Sequence, residues 1–204
     1  MRTMRTDRRF LSVACLRRLP WLVACVLALA CHGGGGDDDG APHLLAFQCS
    51  ESMVPANTVA LACGALSQNM IREVQVLIGG PTTSNDVMGF SFDIVFDPAN
   101  ISYVAGSAGQ GTLLSSDGDD PLLAVDLASN DPGRLLVGIH RANQASGVAG
   151  PASSNLVLRF SMRANALVAF GPDLLRFENA EVVDSSGTAI PGITFSDQLL
   201  LGVN

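Results

Sequence analysis

The chain has 204 residues, a formal net charge of −7 at pH 7 and no lysine. Such an acidic surface repels nucleic acid and anionic lipid, which argues against both as binding partners. Once an N-terminal leader is set aside, the remaining length suits one globular domain.

Residues 1–30 have the layout of a bacterial export signal. An arginine-rich start precedes an apolar run, Leu19–Ala30, of about a dozen residues, whereas a membrane-spanning helix needs roughly 20. The segment Leu27–Cys31 resembles a bacterial lipobox, which implies that Cys31 is lipidated and becomes the first residue of the mature chain. Ordinary cleavage after Ala28-Leu29-Ala30, giving a free periplasmic or secreted protein, is the alternative.

A linker and an extension are predicted over residues 31–56. His32–Gly40 is rich in glycine and aspartate, a composition typical of a flexible linker. The residue after Cys31 is histidine rather than aspartate, so the usual inner-membrane retention signal is missing. An outer-membrane lipoprotein is therefore predicted, with membrane contact through the lipid anchor only.

Apart from Cys31, Cys49 and Cys63 are the only cysteines beyond the leader. Export implies an oxidising compartment, so these two are predicted to form a disulfide that fixes the extension to the first strand. The chain-entropy model gives a bridge over a loop of this length about 3 kcal/mol. A zinc site is the alternative, but two cysteines without a nearby histidine pair make a poor ligand set.

Apolar residues beyond residue 57 recur with the period of two that is typical of β-strands. The clearest segments are 88–97, where phenylalanines alternate with polar residues, and 156–163. Seven further segments, separated by glycine and proline turn signals, are predicted as strands: Thr58–Cys63, Ile71–Ile78, Ile101–Ala105, Leu122–Leu127, Arg134–Arg141, Leu174–Val183 and Phe195–Val203. About nine short strands predict an all-β sandwich, with 106–120 as a long loop that has room for one more short strand.

Three stretches of this pattern resemble the cohesin family. They are Gly89–Pro98 running into Ile101–Val104, then Leu156–Met162, and finally Leu175–Asp184 followed by Gly187 and Ile190. The resemblance implies a nine-stranded β-sandwich with jelly-roll topology over residues 57–204, related in fold to a class of carbohydrate-binding modules. None of the motifs that carry it is catalytic.

The resemblance also implies a site, because cohesins bind their partners on one face of the sandwich through strands that include the aromatic one. Carried over to this chain, the face comprises Ser91, Asp93, Asp126, His140, Arg141 and Asn143. The implied function is a non-catalytic, envelope-anchored module that binds a protein partner, such as a dockerin-like one. The alternative is that these polar groups only solvate an exposed sheet.

The sequence offers few residues suited to catalysis or to metal binding. A Ser/His/Asp site built on His140 and Asp126 lacks a Gly-x-Ser-x-Gly elbow, so no catalytic residue is predicted. The loop Asp117–Asp120 could hold calcium through its carboxylates but lacks the spacing of a calcium loop, and a solvated loop is favoured. No metal and no cofactor is predicted.

Binding of polysaccharide at the cell surface is the alternative function. It usually needs exposed planar aromatic rings, but the only tryptophan, Trp21, lies in the leader and Tyr103 is the only tyrosine. Most phenylalanines occupy apolar positions of the predicted strands and are expected in the core. The sequence therefore favours a protein partner over a glycan.

Overall fold

The computed structural model describes residues 45–204 except 69, 143 and 198. This part of the chain is all β, as predicted, and contains thirteen strands. They are β1 (Phe47–Ser50), β2 (Thr58–Gln68), β3 (Ile71–Ile78), β4 (Gly89–Val95), β5 (Ile101–Tyr103), β6 (Gly109–Gln110), β7 (Leu122–Ala128), β8 (Asp131–His140), β9 (Asn155–Ala164), β10 (Val168–Gly171), β11 (Arg176–Val183), β12 (Thr194–Ser196) and β13 (Leu200–Val203).

The strand count differs from the predicted nine in two ways. The last predicted strand is divided into β12 and β13, and the short strands β1, β6 and β10 are additional. β1 pairs antiparallel with β13, so the fold begins before residue 57 and includes part of the predicted extension. Strands of two to four residues carry too few side chains to show a period, and distant partners hold them in place.

The strands form three sheets. A four-stranded sheet has the order β11-β4-β8-β7, and a larger one has the order β12-β2-β3-β9-β5, with β6 also paired to β9. The third sheet, β1-β13-β10, brings the chain terminus next to the first strand. All pairings are antiparallel except that of β12 with β2.

Alternation along the strands places one apolar core inside the sandwich. Phe90 and Phe92 of β4 and Phe160 of β9 are buried and belong to the same hydrophobic cluster. The ring of Phe92 meets that of Phe177 edge to face, with centroids 5.2 Å apart. The predicted aromatic core is confirmed at these positions, while Phe170 on β10 is half exposed.

The predicted disulfide is confirmed. Cys49 of β1 and Cys63 of β2 are bonded, with their Cα atoms 6.2 Å apart. The bond joins the small β1-β13-β10 sheet to the larger sheet of the sandwich. Both thiols are consumed in it, which removes the alternative of a zinc site on these cysteines.

Candidate functional site

The candidate site lies on the outer face, defined here as the side of the four-stranded sheet that points away from the core. Along β4, Phe90 and Phe92 are buried and Ser91 between them is exposed. Asp93 follows in the same outward phase as Ser91. Strand alternation therefore places both of these predicted residues on the outer face.

The strand register arranges the outer face in rows that cross all four strands. One row consists of Ala124, Gly138, Ser91 and Glu181, and the next consists of Asp126, Leu136, Asp93 and Glu178. The first of these rows, called the low row here, rises little above the backbone because three of its members have small side chains. A Cβ atom added to Gly138 would meet no atom within 4 Å, so the space above this strand is open.

Two leucines flank the low row and expose apolar surface. Leu122, in the row that also contains His140, is 56% exposed, and Leu136 on the other side of the low row is 43% exposed. An apolar strip with polar margins is the usual composition of a protein-binding surface. An exposed apolar patch with a polar rim can mark an interaction site, whereas a single exposed leucine needs no explanation.

An ionic group, the Arg134 cluster, lies on the outer face beside this strip. It consists of Arg134, Asp93, Asp131 and Glu178. The Arg134 guanidinium donates to Asp93 at 2.7 Å and to Glu178 at 2.8 Å, and it contacts Asp131 at 3.3 Å. The hydrogen bond to Glu178, which has the largest effect, and the hydrogen bond to Asp93 raise the pKa of Arg134 above its ordinary value. One guanidinium thus meets three carboxylates, which leaves the cluster with excess negative charge.

Asp126 and His140 also lie on the outer face, but in different rows. Asp126 pairs with Leu136, whereas His140 pairs with Leu122 at the other end of β7. Both side chains are exposed. The structure therefore does not bring Asp126 and His140 together as a catalytic pair.

Arg141 does not lie on the outer face, which corrects the sequence-based assignment. Its side chain is only 2% exposed, and it donates to Asp117 through two nitrogens at 2.7 and 3.1 Å. Asp119 lies 3.8 Å from its Nε. The reason is the phase of β8: Ile139 points inward and His140 outward, so the next residue points inward again.

The contacts of Arg141 also bear on the calcium alternative for loop 117–120. The guanidinium bonds to Asp117 and lowers the pKa of that carboxyl, chiefly through the side-chain hydrogen bond. Because the Arg141 guanidinium already partly neutralises these carboxylates, they are poorly suited to bind calcium. Within residues 45–204 as described, no group of three or more acidic, histidine or cysteine side chains could hold a metal ion.

Two residues of the predicted site fall outside the described residues. They are Asn143, assigned to the outer face, and Cys31, assigned to lipidation. Among the described residues, no helix is long and apolar enough to cross a membrane.

Sequence reasoning missed Arg134, Leu136 and Leu122, although a signal was present. Arg134, Leu136, Gly138 and His140 share one phase of β8, opposite to the buried Leu135, Val137 and Ile139. Applying the period of two to this strand would have found them. The rows across the sheet depend on register, which a single sequence does not show.

Comparisons with known proteins identify the fold. No protein-family model matches the chain, and no curated protein matches it by sequence. Solved structures do match: the type II cohesin A11 from Bacteroides cellulosolvens is 13% identical at a TM-score of 0.52, covering 69% of this chain and 96% of that one. A type II cohesin domain from the cellulosome of Acetivibrio cellulolyticus is 15% identical at a TM-score of 0.50, covering 72% and 95%.

A type II cohesin dyad from an adaptor scaffoldin of Acetivibrio cellulolyticus gives a similar result. It is 14% identical at a TM-score of 0.51, and the match covers 71% of this chain and 48% of the dyad. At such identities the likeness concerns the fold alone. The sequence resemblance, the all-β sandwich and these structures agree, and the described domain is cohesin-like in its fold.

Proposed function

We propose that this protein is a non-catalytic recognition module that binds a protein partner through the outer face. The observation that carries the proposal is the low row of Ala124, Gly138 and Ser91 between two exposed leucines, with the Arg134 cluster beside it. This arrangement combines an apolar centre with a charged margin. The same face is the one on which the cohesin resemblance implies partner binding.

The charge of the outer face favours a partner with a basic patch. Asp93, Asp131 and Glu178 share a single guanidinium, and Asp126 and Glu181 add further carboxylates. Complementary charge mainly accelerates association and excludes wrong partners. A dockerin-like protein is the partner class that the resemblance implies.

The outer side of the opposite sheet offers a contrast that supports this choice. There Glu73 of β3 and Arg159 of β9 are diagonal neighbours, and their charged atoms lie 3.9 Å apart, so one acid and one base partly offset each other. Among the described residues, no large apolar side chain of the central strands β3 and β9 is exposed, and Leu66 near the end of β2 is the exposed one in this sheet. A mixed, charged surface of this kind is what a solvated sheet needs.

We also propose that the module is held at the cell envelope, by a lipid on Cys31 and most simply at the outer membrane. The support is the lipobox-like segment Leu27–Cys31 followed by a glycine-rich linker. Two acyl chains suffice for stable anchoring. Intact mass of the exported protein tests this part, because lipidation adds acyl mass that a Cys31→Ser variant cannot carry.

Substitution of two open glycines tests the binding face. Gly138→Arg places a long basic side chain across the low row, whereas Gly171→Arg makes the same change on β10, where an added Cβ also meets nothing within 4 Å. Envelope proteins that the full-length wild type captures should be lost with Gly138→Arg and kept with Gly171→Arg. Capture that survives Gly138→Arg would show that the partner binds elsewhere.

Polysaccharide binding gains no support from the structure. The exposed aromatic ring among the described large side chains is Phe170, which lies on β10 and not on the outer face. Stacking on sugar rings usually needs a platform of several rings. Retardation in gels containing cellulose, chitin or peptidoglycan would nevertheless revive the glycan alternative.

A further inference from the structure

The free edge of β7 is unlike the other strand edges of the described domain. β7 pairs with β8 on one side, and no described backbone group bonds to its other side. At the opposite edge of the same sheet, β11 is covered: Ile190 donates to the carbonyl of Val182, and Asp197 accepts from the backbone N–H of Phe177. The remaining edge strands of the larger and smaller sheets have only two to four residues.

β7 also lacks the features that normally prevent an edge strand from pairing. Its seven residues contain no proline and no basic side chain, and Asp126 is its one charged residue. Its inward-phase side chains Leu123 and Val125 are only partly buried, and Leu127 is 43% exposed. A long, apolar and uncovered edge presents unpaired N–H and C=O groups in a row and is a template for another strand.

The geometry points to a second binding site on this edge: an extended segment of a partner protein, apolar at alternate positions and carrying basic residues, adds to β7 as a fifth strand of the sheet. Main-chain hydrogen bonds along β7 would provide affinity. The added strand would cover Leu123, Val125 and Leu127. This site uses the backbone edge of β7, which borders the outer face, and it does not depend on the proposed function of that face.

The charges at the two ends of β7 favour such a segment over a second copy of this chain. The acids Asp119 and Asp120 precede β7, and Asp131 begins β8 after the turn that follows β7. The basic residues nearest to these acids are already engaged, Arg134 with Asp131 and Arg141 with Asp119. An antiparallel copy would place the acidic start of one β7 beside the acidic end of the other, so self-pairing is disfavoured and a basic segment is favoured.

A synthetic peptide tests the proposal with the full-length protein. The probe is a capped peptide in which valine alternates with arginine or threonine, and the readout is hydrogen exchange of backbone amides. Binding should protect alternate amides within 122–128 and leave those of β1 and β10 unchanged. The same peptide with alternate backbone nitrogens methylated should bind about tenfold more weakly or worse, because it has lost its donors.

Three outcomes would overturn the proposal. The first is equal binding of the methylated peptide, and the second is protection that maps to residues other than β7. The third is protection of the same amides that grows with protein concentration without any peptide, which would identify a second copy as the occupant. A peptide with glutamate in place of arginine should not bind, and its binding would contradict the charge argument.

Paired proline variants keep the test informative if one of them fails to fold. Adjacent residues of an antiparallel strand donate their N–H groups to opposite sides. Of the two variants Ala124→Pro and Val125→Pro, one therefore removes an N–H that points to β8, and the other removes an N–H that points to the free edge. The variant that retains the thermal stability of the wild type has lost only the outward donor, and it should lose peptide binding. Unchanged binding by that folded variant would contradict the assignment.

Discussion

Arg134 and Arg141 lie on or next to the same strand and each contacts carboxylates, but their surroundings differ. The Arg134 side chain is 26% exposed on the outer face, where water screens its ion pairs. The Arg141 side chain is 2% exposed and holds the loop that contains Asp117 and Asp119. The comparison shows that similar ionic contacts set the charge of a surface in one place and fix a loop in the other.

The largest effect is expected from Arg141→Ala. This change leaves Asp119, which is mostly buried, without its nearest cation and opens the space that the side chain filled. We expect a loss of about 3 kcal/mol in the free energy of unfolding, measured with urea, because breaking a buried ion pair strands the remaining charge. Arg159→Ala is the matched control: that side chain is 53% exposed, and a change within about 0.5 kcal/mol is expected. Equal losses of unfolding free energy in the two variants would contradict the structural role given to the buried Arg141.

Removing the disulfide gives a second loss of unfolding free energy with which the effect of Arg141→Ala can be compared. The double variant Cys49→Ala, Cys63→Ala frees β1 from β2. We expect a loss of about 2 to 3 kcal/mol, measured by the same urea titration under non-reducing conditions. The outer face should keep its structure, since none of its strands carries either cysteine. Loss of partner capture in this variant would mean that β1 contributes to the site.

Arg134→Gln should act on binding more than on stability. The substitution releases the carboxylates of Asp93 and Glu178 on the outer face, so the face becomes more acidic. A basic partner should associate severalfold faster at low salt, and the difference should vanish at high salt. Surface plasmon resonance with the captured partner measures this rate. A slower association would show that the partner's contact there is acidic.

The smallest effect concerns acid stability. Arg141 lowers the pKa of Asp117 below its unfolded value, so the pair contributes stability above about pH 4 and loses it as the pH falls through the lowered pKa. The stability difference between the wild type and Arg141→Ala should therefore narrow as the pH falls from about 5 through the lowered pKa of Asp117.

Other acids should not disturb this measurement. Asp86 and Asp184 also have lowered pKa values, through hydrogen bonds led by Ser185 and Ser186, but they contribute equally to both proteins and cancel. A stability difference between the wild type and Arg141→Ala that stays constant with pH would exclude Asp117 as its origin.

The parts of the fold that the sequence predicted are those in which local chemistry suffices. The alternation around Phe90 and Phe92 indicated β4, its buried side and its exposed side. The pairing of Cys49 with Cys63 followed from export and from the absence of other cysteines after Cys31. The short strands β1 and β10 had no such local signal, because pairing with the distant β13 creates them.

The candidate site was predicted in part for the same reason. Ser91 and Asp93 followed from the phase of one strand, whereas the low row of Ala124, Gly138 and Ser91 depends on the register of three. Arg141 was misplaced because a charged residue at a strand end was assumed to be exposed. Carboxylates from a distant loop make its burial possible, and that contact is not readable from local pattern.

Photo-crosslinking in intact cells tests the central claim most directly. A photoreactive residue in place of Leu136 reports on the outer face, and one in place of Arg159 reports on the opposite sheet, with both positions about equally open to water. The account predicts a discrete protein adduct from position 136 and none from position 159. An adduct from position 159 alone, or no difference between the two, would contradict it.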